Sequence, residues 1–317
     1  MNYNEQTLVE MLGYMRPQDS TAQEMFCDKY LLPIMGKPDS HGNYILSVGN
    51  RPNIAFMAHH DTVHRNGGLH KPHVSKGIVS TKADCLGADC TTGVWLILAM
   101  IQAQVEGLYV VHAAEEIGCI GSRAIVDDNP SWIADIQAAI SFDRRGYDSI
   151  VTHQMGERTA SDAFAVSLND ALGLQMKPDS TGSYTDSNEY AYMIDECTNI
   201  SVGYHGQHTS GETQDLPFAM ALRDRLIDAD WTTIVVKRDA AIAYDDFKAA
   251  YKGYGQGGKY NSYQDTFGNG RYDDEDDEGE LMTMADLVYE NPEEIADLLL
   301  SYGFNLNDLR EELGANN

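Results

Sequence analysis

The chain has 317 residues, 22 of them Lys or Arg and 49 Asp or Glu, for a formal charge of −27. That imbalance argues against nucleic acid or an anionic membrane as a partner, while 43% apolar residues suffice for a sizeable core. Five cysteines (Cys27, Cys85, Cys90, Cys119, Cys197) form no disulfide framework and no Cys-x-x-Cys pair, which suits a reducing compartment and argues against a structural zinc knuckle.

Met1 to Arg16 is polar and amphipathic, with Leu8, Met11, Leu12 and Met15 at helical spacing. It lacks a basic start and an apolar stretch, so no signal peptide is expected, and no apolar run reaches membrane-spanning length. The expectation is a soluble, cytoplasmic protein. A second helix starts at the capping box Thr21-Ala22-Gln23-Glu24 and should stop before Pro33. Tyr44 to Val48 and Asn53 to Ala58 read as strands, the second running into His59-His60-Asp61. The loop 64–76 holds His64, His70 and His73 and reads as cleft rim. After a short strand, Gly77 to Lys82, the turn Leu86-Gly87-Ala88-Asp89 leads into a long apolar helix from Cys90 to Gln104.

Leu108 to Val111 is a buried strand that ends in Glu115-Glu116, and a helix follows near Ser122. Ile136 to Phe142 is a strand ending at Asp143, and Ile150 to His153 is another. Ser161 or Asp162 caps a helix to Leu172. Asn199 to Tyr204 is a strand ending near His205 and His208, and Leu216 to about Val235 is a long helix. Strands alternating with helices predict an α/β fold, a mixed but mostly parallel sheet flanked by helices in three layers. Residues 1–250 read as one catalytic domain. Residues 251–280 read as a Gly/Tyr-rich and acidic linker, and 281–317 as a small helical tail; residues 251–317 alone carry 4 basic and 16 acidic side chains. That tail is too short to fold alone and needs the main domain, a second subunit or a partner to pack on.

Two adjacent glutamates at a strand end repel unless something positive lies beside them. A metal ion is the simplest such group, with one glutamate as ligand and its neighbour as proton acceptor. Four apolar strands each end in a metal-capable side chain: His59, Glu115-Glu116, Asp143, and His205 or His208. Asp89 sits at a strand-to-helix turn. Parallel strands share a direction, so these ends gather at one edge of the sheet. Imidazole nitrogen and carboxylate oxygen suit zinc and similar borderline ions.

The order His59-x-Asp61, Gly87-Ala88-Asp89, Glu115-Glu116-x-Gly118, Asp143, His208-Thr209-x-x-Glu212 resembles the two-zinc exopeptidase superfamily, which includes leucyl aminopeptidases, peptidase T-like tripeptidases and N-acyl-amino-acid deacylases. The resemblance spans about residues 5–235. It implies two divalent metals, zinc above all with cobalt or manganese as alternatives. Asp89 would be shared, His59 and Asp143 would complete one metal, and Glu116 and His208 the other. Glu115 would be the general base and then acid, and Asp61 would orient His59. A bridging hydroxide and three carboxylates would then balance the +4 of the metals. His205 stays open as an alternative last ligand. His60, His112, His153 and Cys90 read as packing or rim groups. Arg144 and Arg145 could grip a substrate carboxylate, and Thr185-Asp186 could shape the pocket.

Asp143 and His208 stand only 65 positions apart. The sheet and its helices need most of them, which leaves no room for an inserted lid. The resemblance therefore implies a lidless aminopeptidase acting on short peptides. A deacylase of N-acyl amino acids, or an inactive scaffold that docks partners through its tail, are the alternatives.

Overall fold

A computed structural model describes residues 3–50 and 52–243. The linker and tail expected at 251–280 and 281–317 lie outside the described residues. Seven strands form the central sheet: β1 (Tyr44–Val48), β2 (Ile54–His59), β3 (Gly107–His112), β4 (Ala138–Arg144), β5 (Ser149–Val151), β6 (Lys177–Asp179) and β7 (Glu196–Ser201). Their spatial order is β6-β5-β7-β4-β2-β3-β1. The central strands β7, β4, β2 and β3 run parallel to one another, β1 is antiparallel on β3, and β5, itself parallel to β6, is antiparallel on β7. The sheet is thus mixed and mostly parallel, as expected.

Alternation along β2 explains the layers. Ile54, Phe56 and Ala58 join a large apolar cluster on one face, and Ala55 and Met57 join a smaller one on the other. The large cluster is built around helix α1 (Ala88–Gln102), which packs on β2 and β4, with Trp95, Leu96 and Leu98 fully buried. Helix α4 (Leu216–Asp228) packs on α1, and α3 (Asp162–Leu172) packs on α4. The smaller cluster receives Ile125 of helix α2 (Ile120–Asp128) together with Tyr190, Ala191 and Ile194. A strand that is buried on both faces reads as a continuous apolar run, which is how β2 and β3 stand in the sequence.

Three elements and one histidine depart from expectation. The second helix does not stop at Pro33. It passes through a π-helical turn, Cys27–Leu31, where the Leu32 N–H reaches Cys27 O, and resumes as Leu32–Met35. Pro33 then stands at the start of a helical segment, where its missing N–H costs nothing. The last long helix ends at Asp228, because Ala229 is extended and Asp230 caps a 3-10 turn, Trp231–Thr233. The strand expected over Asn199 to Tyr204 is two strands. β7 ends at Ser201, and Tyr204–His205 joins a separate four-stranded sheet with Thr213–Asp215, Ile78–Ser80 and His73–Ser75. Gly203 between them has φ +90°, and a Cβ there would lie 2.5 Å from the Phe218 ring, so only glycine makes this switch. Finally, His64 is not on a rim. It is buried, with Nε2 at 3.0 Å from Cys85 O and Nδ1 at 2.8 Å from the Thr62 hydroxyl.

No helix among the described residues is long and apolar enough to cross a membrane.

Candidate metal centre

His59 is the last residue of β2, in register with His112 of β3. Its ring is 1% exposed. Two residues on, Asp61 is fully buried and does two jobs. Its Oδ1 lies 3.3 Å from His59 Nδ1, and its two oxygens accept the N–H groups of Glu115 and Glu116, each at 3.1 Å. One carboxylate thus orients the imidazole and fixes the loop after β3. That loop needs tight backbone: Ala114 and Cys119 have φ of 57° and 54°, and a Cβ on Gly121 would lie 2.5 Å from Ala113 O.

Asp89 stands at the start of α1, in a turn anchored from a distance. The Glu212 carboxylate accepts four consecutive N–H groups, from Leu86, Gly87, Ala88 and Asp89, at 2.8 to 3.1 Å. Cys90 follows; the peptide between Asp89 and Cys90 is cis, and regular helical dihedrals begin after Cys90. Asp143, next to the end of β4, is held on every side. Its N–H donates to Asn199 Oδ1, Asn199 Nδ2 and the Tyr204 hydroxyl donate to its carbonyl, and the Thr185 hydroxyl donates to its Oδ2 at 2.8 Å.

These elements converge. The two oxygens of Asp89 face different imidazoles: Oδ1 is 3.1 Å from His59 Nε2, and Oδ2 is 3.2 Å from His208 Nε2. His59 Nε2 is also 3.6 Å from Asp143 and 3.8 Å from Glu115. His208 Nε2 is also 3.2 Å from Glu116. All seven residues expected at the site, His59, Asp61, Asp89, Glu115, Glu116, Asp143 and His208, meet in one place. His205 does not join them; its ring packs on Tyr147. Three of the four expected strand ends belong to one sheet edge. His208 arrives instead from the loop joining two strands of the small sheet, Tyr204–His205 and Thr213–Asp215, with φ 64°.

The electrostatics are those of a crowded acidic pocket. Burial, and then the charge of Asp89, pushes the Asp143 carboxyl up to about 7. Burial likewise raises Glu115 and Glu116, reinforced by their acidic neighbours. Hydrogen bonds to Asp89 and Glu116 push His208 up to about 11. Burial pulls His59 down, yet the surrounding acids hold it well above the usual imidazole range. Protons on two imidazoles are thus the available counter-charge for four clustered carboxylates.

Divalent ions fit this donor set. Asp89, Glu116 and His208 bring one donor atom each to within 4.8 Å of one another, and so do His59, Glu115 and Glu116. Glu116 Oε1 is buried with no hydrogen-bond partner, a cost that a cation removes. Asp89 has an imidazole nitrogen at each oxygen, at 3.1 and 3.2 Å.

Several supporting residues carry no local signal of their role. Glu212 stands in the His-Thr-x-x-Glu pattern, and its part as anchor of the Asp89 turn exists only in the fold. The strand pattern around Asn199 and Tyr204 does not mark them as partners of Asp143. Arg16 is buried; its Nε donates to His60 O at 3.0 Å and its Nη2 to the Thr91 hydroxyl at 2.8 Å, tying the N-terminal segment to both β2 and α1. Nothing in its local sequence signals this. Arg144 is committed to Asp179 at 2.9 Å and to Thr181, whereas Arg145 is exposed. His112 lies 3.1 Å from Asp186 and 2.9 Å from the Tyr190 hydroxyl, a packed histidine as expected.

The profile of Peptidase family M28 matches residues 43–244. No curated protein matches the sequence. Among solved structures, aminopeptidase PepT from Bacillus cereus is 13% identical with a TM-score of 0.56, covering 70% of this chain and 96% of its own. A tripeptidase from Staphylococcus aureus is 14% identical with a TM-score of 0.57, covering 70% and 95%. The TET1 peptidase of Pyrococcus horikoshii is 15% identical with a TM-score of 0.51, covering 70% and 98%. At such identities these structures share the fold.

Proposed function

We propose that this chain, which belongs to peptidase family M28 and is thereby a metal-dependent peptidase, is an aminopeptidase for short peptides that works with two divalent ions. The observation that carries the reading is Asp89, whose two oxygens face two separate imidazoles, each with its own further carboxylate. His59, Asp89 and Asp143 would hold one ion, and Asp89, Glu116 and His208 the other. Mixed nitrogen and oxygen donors suit zinc first, with cobalt or manganese as substitutes. Bound there, such ions supply Lewis acidity and lower the pKa of water to near neutrality.

The chain's own residues do the rest. Glu115 sits against His59 at 3.8 Å, with its side chain 12% exposed. A carboxyl raised by burial is suited to take a proton from the attacking water and return it to the leaving amine. Asp61 keeps His59 in orientation and fixes the Glu115 backbone, so base and ligand move as one body. Thr185, Asn199 and Tyr204 do the same for Asp143.

Residues between Asp143 and His208 build β5, β6, β7 and α3. The described part of that stretch holds no separate lid, which favours an open cleft and peptides over small acyl metabolites. Residues 1–250 are read as one catalytic domain. The TET1 neighbour is described as assembling into a tetrahedron or a large octahedral shell; self-association of this chain is part of the proposal, and a measurement of its mass in solution tests it.

The test is turnover of aminoacyl reporters and of di- and tripeptides by zinc-, cobalt- or manganese-loaded protein, against N-acyl amino acids as the competing class. Release of N-terminal residues supports the proposal. Turnover of acyl amino acids alone would move it to a deacylase.

A further inference from the structure

Cys90 is fully buried and directly follows the shared aspartate. Its Sγ does not merely fill the core. It forms a three-donor group with His59 and Asp143, the three ligand atoms lying within 4.8 Å of one another. The backbone is shaped to put it there. Gly93, one turn into α1, allows the helix start to lie directly on the end of β4: a Cβ at 93 would stand 2.3 Å from Phe142 O and 2.5 Å from Cys90 Sγ. The thiol donates a weak hydrogen bond to Phe142 O, at 3.2 Å, the carbonyl just before Asp143.

Resting on the two-ion reading above, we infer that Cys90 supplies a sulfur ligand to the ion held by His59 and Asp143. When the ion binds, the sulfur gives its electron pair to the metal and the S–H proton leaves to solvent. One ion then has imidazole, carboxylate and sulfur donors, and the other has only nitrogen and oxygen. Sulfur selects zinc and cobalt over manganese and magnesium, so Cys90 makes this half of the site the more selective one.

The experiment is optical titration of chelator-stripped full-length protein with Co²⁺. Visible ligand-field bands report that cobalt is bound, and an intense near-ultraviolet sulfur-to-cobalt band reports sulfur ligation. The wild type should show both. Cys90→Ser should keep the visible bands, lose the ultraviolet band and bind zinc about tenfold or more weakly, since even residues behind a ligand are worth that much. Cys119→Ser, whose sulfur lies 3.6 Å from Glu115, should keep both. Visible bands without the ultraviolet band in the wild type would overturn the sulfur ligand and leave the two-ion site standing. An ultraviolet band that survives Cys90→Ser would also overturn it. No visible bands at all would overturn the two-ion site itself. Should Cys90→Ser not fold, X-ray absorption of the zinc-loaded wild type decides, by the presence or absence of a sulfur neighbour at about 2.3 Å.

Discussion

The two halves of the site hold the same kinds of atoms in different ways. His59 and Asp143 stand at the ends of adjacent strands of the central sheet, the histidine ring 1% exposed and the aspartate bound by Thr185, Asn199 and Tyr204. Glu116 and His208 stand on loops, and the His208 ring is 49% exposed. Donors fixed before binding lose little freedom when an ion arrives, whereas a loop histidine must be ordered first. The difference teaches that the halves need not be equal in affinity. The sheet-held half should fill first and the loop-held half second.

The largest effect should come from removing what the halves share. Asp89→Ala should abolish activity and reduce bound zinc to less than one ion per chain, measured by elemental analysis. Retention of two ions would show that Asp89 is not shared. Next in size is Glu115→Gln, expected to lower kcat by about 10²–10⁴ while the zinc content stays at the wild-type level. Unchanged turnover would remove Glu115 from the mechanism.

The comparison itself is sharpened by a pair of variants. His208→Ala should keep one tightly held zinc, and His59→Ala should weaken the tight ion instead, both followed by calorimetric titration. Equal losses would mean that the two halves are equivalent. A smaller effect concerns pH. His208 in the metal-free chain is raised to about 11 and Asp143 to about 7. A group whose folded pKa is raised stabilises the fold below its unfolded value and loses that contribution as pH rises through the folded one. Above neutrality the stripped chain should therefore lose stability through His208. Zinc, which needs these groups deprotonated, should bind more tightly there and release protons as it does so. The gap in Tm between loaded and stripped protein should widen from about pH 7 to about pH 9; a gap that narrows would contradict the assigned protons. The smallest effect expected is from Glu212→Gln, which leaves some of four buried N–H groups poorly paired. It should cost about 1–3 kcal/mol in denaturant unfolding.

How much of this was legible in the sequence follows from the same contrast. The sheet-held half was readable because β2, β3 and β4 are buried on both faces, so their apolar runs stop abruptly at His59, Glu115 and Asp143. Of the loop-held half, Glu116 was readable at the end of an apolar run, whereas His208 kept His205 as an alternative. The switch from β7 to the small sheet is made by a single glycine, and periodicity does not register a change of sheet. Partners distant in sequence were the least visible. Glu212 binds residues 86–89, and Arg16 reaches His60 and Thr91; such bonds exist only once the chain has folded. Pro33 misled for a local reason, since a π turn places it where its lack of an N–H is harmless.

Zinc stoichiometry of the stripped, full-length protein, followed by calorimetric titration, tests the central claim most directly. Two ions per chain, taken up in two steps of unequal affinity, is the result expected. Uptake of one ion or none, with His59, Asp89 and His208 all intact, would contradict it.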